Sequence, residues 1–153
     1  MRNLLPLLVF AGFGIRLSAV DLKVHRLPNY LVAWFTVTQV VILIGLNLGD
    51  LELLMISILT AAGTTAIFLI LFILSRGAFG MGDVKFAFPL GLTVGWFAPD
   101  LWLIAIFTSF LLAGIVAVIG LVAKRIERTS HIAFGPYMFL GSFVVIAYSV
   151  LSL

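Results

Sequence analysis

The sequence predicts an all-α, polytopic membrane protein with six transmembrane helices and with both its N-terminus and its C-terminus outside. Three observations carry that prediction. Of 153 residues, 63% are hydrophobic and 10% charged, with a mean hydropathy of +1.30, far from the near-even apolar balance of soluble domains. Apolar runs long enough to span a bilayer fall at about residues 3–20, 30–48, 51–74, 84–98, 101–123 and 134–153. Basic residues gather in alternate connectors between these runs. Six spans of ~20 residues consume roughly 120 positions and leave only short connectors. A single membrane-embedded domain over residues 1–153 is expected, with any chemistry on helix ends and short loops.

The first run follows Arg2 and is trailed by the small residues Ser18 and Ala19, features shared with signal peptides. Arg16 interrupts it and five more spans follow, which favours a retained helix. Next comes "DLKVHRLPNYL", where Lys23 and Arg26 place the first connector in the cytoplasm and Pro28 and Asn29 mark the turn into the second helix, with Asn29 its expected N-cap. The second and fourth connectors, "GLNLGDLE" and "FAPD", hold Asp50, Glu52 and Asp100 and no Lys or Arg, so they belong outside. Asp50 and Asp100 are placed to cap the helices that follow them.

In the third run, "AAGTTA" reads as close helix packing, as do Gly91 and Gly95 in the fourth. Arg76 and Lys85 flank the third connector, and Lys124, Arg125 and Arg128 fill the fifth. Arg2 alone runs against the rule. Topology thus accounts for the net charge of +3, and no nucleic-acid partner is implied; the lipid bilayer is the partner that composition does imply. The single membrane domain ends on the sixth run.

Most chemistries are excluded by what is missing. The chain has no cysteine, which removes disulfides, thiolate metal sites and cysteine nucleophiles. HExxH, GxSxG, P-loop and dinucleotide fingerprints are absent as well. Glu127 and His131 have i, i+4 spacing, but further ligands are lacking and a solvated interfacial pair is the simpler reading. No metal and no cofactor is expected.

Two aspartates resist a structural explanation. Asp21 ends a span rather than opening one, where a carboxylate opposes the helix dipole, and an ion pair with its basic neighbours is the plain alternative. Asp83, in "GMGDVK", precedes an apolar run of only about 22 Å at helical rise against a hydrocarbon core of ~30 Å. It is therefore placed at or within the apolar boundary, although it could also serve as an N-cap. Ionisable residues at that depth are costly and point to function. Both acids fall on the same predicted side. Two carboxylates that meet can hydrolyse an amide: one, ionised, deprotonates water while the other, protonated, hydrogen-bonds the scissile carbonyl. Gly80 and Gly82 would give the backbone conformational freedom and allow a substrate strand close approach. Helix position favours Asp83 as the base and Asp21 as the acid, with Lys23 and Arg26 pulling the other way on Asp21.

These segments resemble those of the prepilin leader peptidases, aspartyl membrane proteases that process type IV pilins and related pseudopilins. "GMGDVK" is similar to the family's GxGDxK signature. "DLKVHRLPN" resembles its first aspartate segment, an Asp followed a little later by an aliphatic residue, Pro and Asn; here these are Asp21, Leu27, Pro28 and Asn29. "AFGPYMFLG", residues 133–141, resembles the FGP segment that opens the family's last helix. The resemblance implies that Asp21 and Asp83 are the catalytic pair, with Gly80, Gly82, Lys85, Pro28, Asn29, Gly135 and Pro136 in support. For Pro136 it adds little, since proline is common in a first helical turn, and for Lys85 anchoring at the membrane surface is the simpler role. It further implies a prepilin or pseudopilin substrate cut at the cytoplasmic face of the inner membrane, usually after glycine. Larger members carry an additional segment with paired CxxC cysteines and methylate the new pilin N-terminus; lacking both, this chain is expected to cleave without methylating. In size it is most similar to the short peptidases of Flp-type (Tad) pili, and archaeal preflagellin peptidases share the core.

Two rivals differ in class. Presenilin-like GxGD proteases place a tyrosine before the first aspartate and use more helices, whereas Val20 precedes Asp21. A proton-coupled carrier or structural subunit would use the same acids as a relay, but no inverted repeat accompanies them.

Overall fold

The computed structural model describes residues 4–46, 51–75, 79–123 and 133–152. Among these are six α-helices and no strand: α1 (Leu4–Val24), α2 (Asn29–Leu46), α3 (Leu51–Leu74), α4 (Met81–Phe97), α5 (Trp102–Val122) and α6 (Gly135–Leu151), with a 3₁₀ turn at Pro99–Leu101. Each predicted run is one helix. Leu4–Val24, Asn29–Leu46, Leu51–Leu74 and Pro99–Val122 are long and apolar enough to cross a membrane. Helices α4 and α6 have 17 residues each, or about 25 Å of rise. Arg2, Asp50, Arg76, Lys124, Arg125, Glu127, Arg128 and His131 lie outside the described residues, and with them the cap expected at Asp50 and the Glu127–His131 pair.

Helix ends depart from expectation for local reasons. Helix α1 runs past residue 20 to Val24, so Asp21 sits inside its last turn. It stops where His25 adopts a left-handed conformation, φ 52°, and donates its N–H to the Asp21 carbonyl at 2.8 Å, the bond of an αL cap. The Pro28 carbonyl then accepts the Leu31 and Val32 N–H groups at 3.1 and 3.2 Å, starting α2. Asp100 does not cap α5. It lies within the 3₁₀ turn, whose first position is Pro99 and whose N-cap, Ala98, offers no side-chain bond. Proline's fixed φ suits that position.

Helix α4 is the most enclosed, with Val84, Phe86, Ala87 and every residue from 89 to 96 buried. On α5, by contrast, only Ala105 and Ser109 are buried, leaving an apolar face for lipid. Lipid tails are as apolar as side chains, so close packing and interhelical hydrogen bonds hold such a bundle together. The α3–α4 contact is of the close kind: a Cβ on Gly91 would lie 2.9 Å from the Ala61 Cα, and one on Gly95 2.7 Å from the Ser57 Cα. This bears out the small-residue reading of "AAGTTA", Gly91 and Gly95. A polar tie crosses the interior where the fully buried Gln39 of α2 donates to the Thr93 hydroxyl of α4 at 3.1 Å. Thr93 in turn donates to the Pro89 carbonyl at 2.8 Å.

Candidate active site

Four chain segments converge at one end of the bundle: the last turn of α1, the turn into α2, the first turn of α4 and the first residue of α6. Asp21 is only 4% exposed. What holds it is a backbone amide rather than a basic side chain, for Gly135 N–H donates to its Oδ2 at 2.9 Å while Lys23 and Arg26 are exposed. Asp83 is not the N-cap of α4. Gly80 is, and Asp83 stands at the third helical position, where its Oδ2 accepts the Gly80 N–H at 3.3 Å. That is the returning half of a capping box. Leu27 lies beside both Gly82, the neighbour of Asp83, and Gly135, the holder of Asp21, so the two acids share this end of the bundle.

The two acids are therefore held alike. In each, Oδ2 accepts an N–H from a glycine at a helix start, Gly80 at the start of Asp83's own α4 and Gly135 at the start of α6, and among the described residues Oδ1 accepts no hydrogen bond.

What marks the three glycines is close approach, tightest at Gly135, and not unusual backbone angles. Gly80 has φ −80° and ψ 140°, an ordinary extended conformation, which corrects the expectation of special conformational freedom there. A Cβ on Gly135 would sit 2.8 Å from Asp21 Oδ2, one on Gly82 would sit 3.1 Å from the Leu27 Cβ, and one on Gly80 would sit 3.3 Å from Asp83 Oδ2. Leu27, 8% exposed, thereby wedges the first aspartate segment against the second. Beside it, Lys85 Nζ donates to Asn29 Oδ1 at 3.0 Å. Asn29 is itself the first residue of α2, so its side chain joins two segments instead of acting as the expected N-cap. Pro136, in the first turn of α6, has no N–H to satisfy where helical donors are free anyway.

Two features escape sequence reading. One is the Gly135 amide, since every residue but proline carries an N–H. The other is a block of four rings beneath the site, Phe68, Phe79, Phe110 and Phe134, with centroids 4.9 to 6.2 Å apart. Such ring pairs contribute about 0.5–1.5 kcal/mol each beyond area burial. A signal for it exists: the tripeptide Ala-Phe-Gly occurs at residues 78–80 and again at 133–135.

Chemically, the site offers two carboxyl groups, each with an Oδ1 that accepts no hydrogen bond among the described residues, at the end of an apolar bundle. Among the described residues no group of three or more His, Asp or Glu side chains converges. A separate cavity of about 20 Å³, lined by Thr64, Trp102, Ser109 and Ser142 among others, includes none of the carboxylate-holding residues; it has room for a single water.

A family model described as the type IV leader peptidase family matches residues 8–119. That span contains both aspartates, Leu27, Pro28, Asn29, Gly80, Gly82 and Lys85, and it ends before α6, so Gly135 and Pro136 lie beyond it. No curated protein matches the chain, and no solved structure does. The family match extends over well more than half of the sequence and includes Asp21 and Asp83 at the end of an apolar helix bundle: the chain belongs to the type IV leader peptidase family and is a membrane peptidase.

Proposed function

We propose that this peptidase is an aspartic endopeptidase that removes the leader of Flp-like type IV prepilins or pseudopilins at the cytoplasmic face of the inner membrane, without methylating the product. The observation that carries the reading is that Asp21 and Asp83, buried and half-buried at one end of the bundle, are each held through Oδ2 by a glycine N–H, with no hydrogen bond to either Oδ1 among the described residues.

In this reading Asp83, in the first turn of α4, is the ionised base, since the positive end of the helix dipole favours a carboxylate. Asp21, in the last turn of α1, carries the proton. Because its Oδ2 accepts the Gly135 N–H, that proton sits on Oδ1. Asp83 takes a proton from water, the resulting hydroxide equivalent adds to the scissile carbonyl carbon, and the Asp21 proton moves to the carbonyl oxygen. Collapse of the tetrahedral intermediate breaks the C–N bond. The proton held by Asp83 passes to the leaving amine, and the hydroxyl proton of the intermediate returns to Asp21. Lys23 and Arg26, exposed at this end, attract an acidic substrate residue over a range that salt limits to about 8–10 Å.

The test is co-expression of a candidate prepilin with the wild type, Asp21→Ala and Asp83→Ala, following leader loss by gel shift. The wild type is expected to cleave and both variants to leave the prepilin intact. Cleavage surviving in either variant removes that residue from the dyad. A wild type that leaves every prepilin uncut refutes the substrate assignment.

A further inference from the structure

We infer that Phe68, Phe79, Phe110 and Phe134 form a positioning block that sets the separation of the Asp21 and Asp83 carboxyl groups. The inference rests on the dyad reading above.

Its starting point is connectivity. The Gly80 N–H that holds Asp83 belongs to the residue after Phe79, and the Gly135 N–H that holds Asp21 belongs to the residue after Phe134. The Phe79 and Phe134 rings meet edge to face, with centroids 5.2 Å apart and planes at 72°. A short path therefore runs from one carboxylate to the other: Asp21 Oδ2, the Gly135 amide, the two rings, the Gly80 amide, Asp83 Oδ2. Helices α1 and α4 carry the acids, but α2 and α6 mediate most of the packing between them. No described hydrogen bond joins the acids directly. Leu27 packs between Gly135 and Gly82 on one side of the site, and the ring contact links the two amide holders, Gly135 and Gly80, on the other.

The block is also anchored. Phe68 on α3 and Phe110 on α5 stack at 5.8 Å, and each touches both loop rings. Phe68 lies 6.2 Å from Phe79 and 6.0 Å from Phe134; Phe110 lies 5.8 Å from Phe79 and 4.9 Å from Phe134. Every ring contacts the other three, with Phe68 buried and Phe79, Phe110 and Phe134 half-buried, so a change at one is felt by all. Anchors on two long helices make the loop positions a property of the bundle. Tilted and edge-to-face contacts depend on ring shape, which leucine of similar volume does not reproduce. Catalytic geometry is sensitive on this scale, since a misplacement of about 1 Å can lower a rate ~100-fold.

The test uses full-length protein in detergent or vesicles and a prepilin substrate. Phe79→Leu and Phe134→Leu are each expected to lower kcat about 10-fold per folded molecule with KM changed less than about twofold, the mark of an interaction expressed in the transition state. The double variant is expected to be no slower than the slower single one, because both break the same contact. Phe79→Tyr keeps the ring and should keep the rate. Phe107→Leu, on the exposed face of α5, is the control. The native chain lacks cysteine, so spin labels at Leu22→Cys and Met81→Cys report the separation of the α1 and α4 ends independently of activity. The leucine variants should shift or broaden that distance distribution, and Phe79→Tyr should not.

An active wild type whose leucine variants retain kcat per folded molecule overturns the positioning block and leaves the peptidase reading intact. A wild type that cuts no prepilin overturns the substrate reading instead; the label distances then decide on the block alone, and an unchanged distribution in the leucine variants defeats it. If Phe134→Leu fails to accumulate, Phe79→Leu and Phe79→Met carry the same comparisons.

Discussion

Lys85 Nζ donates to Asn29 Oδ1 at 3.0 Å, joining positions 56 apart in sequence. One belongs to the second turn of α4 and the other opens α2, so a single bond registers the segment after Asp21 against the segment that holds Asp83. Replacing Lys85 with Met, or Asn29 with Ala, is expected to cost roughly 0.5–1 kcal/mol each, because the pair is exposed to solvent. The double variant should cost less than the sum. Thermal unfolding of the four proteins in one detergent measures the coupling, and strict additivity would show that the bond contributes nothing.

Gly135 makes a sharper prediction about activity. A Cβ there would lie 2.8 Å from Asp21 Oδ2, closer than real Cβ contacts, so Gly135→Ala must push the carboxylate away or lengthen the bond that orients it. Helix α6 retains Pro136 in its first turn and its buried face. Cleavage should fall by about 100-fold, the scale expected of misplaced catalytic groups, while the thermal midpoint moves little. A large fall in the midpoint with cleavage per folded molecule preserved would assign Gly135 to folding alone.

How far the molecule was legible from its residues follows from what lipid forbids. A backbone in hydrocarbon must satisfy its own hydrogen bonds, so a run of apolar residues of spanning length has few alternatives to helix, and each of the six runs became one. Ends were less legible, because caps depend on neighbours: the αL residue is His25, not a glycine, Asp83 is the third residue of the helix it could have capped, and Asp100 lies in the 3₁₀ turn ahead of α5. Asp21 stood out because a carboxylate at the end of a span opposes the helix dipole, and Asp83 because a carboxylate is expensive near an apolar interior. Gly135 stood out only through the family resemblance, its amide role and the four rings not at all. An amide donor leaves no mark in sequence, and a phenylalanine is unremarkable in a chain that is 63% hydrophobic. The glycines were noticed for conformational freedom, yet their reason is the side chain across the gap.

The same distinction separates the glycines on the helices. At Gly91 and Gly95 an added Cβ would run into the α3 backbone at Ala61 and Ser57. At Gly12 and Gly114 it would meet nothing within 4 Å. Gly91→Ala and Gly95→Ala are expected to destabilise by about 1–3 kcal/mol through overpacking. Gly12→Ala and Gly114→Ala are expected to be neutral or stabilising, by up to ~1 kcal/mol from helix propensity. Thermal unfolding in detergent checks the contrast, and equal effects at both pairs would mean that α3 and α4 do not pack as closely as described.

His25 closes α1 one turn after Asp21 in a conformation that L residues adopt reluctantly, φ 52°. Left-handed backbone costs a residue with a Cβ roughly 1–2 kcal/mol, and glycine avoids that cost while losing about 0.5–1 kcal/mol of chain entropy on folding. The difference favours His25→Gly by about 0.5–1 kcal/mol. Asparagine, which tolerates this region, should fall between glycine and histidine. Valine should be the worst of the four, since a β-branched side chain is a true outlier there. A valine that cannot close the helix removes the N–H bond from His25 to the Asp21 carbonyl, 2.8 Å in the native chain, and lets the last turn of α1 fray. Asp21 belongs to that turn, so His25→Val should lose cleavage as well as stability, whereas His25→Gly should gain stability with its cleavage rate unchanged. Thermal midpoints in the order Gly, Asn, His, Val, with cleavage lost only in the last, are the expected result; a valine variant as stable and active as the native chain would show that this cap does not hold Asp21 in place.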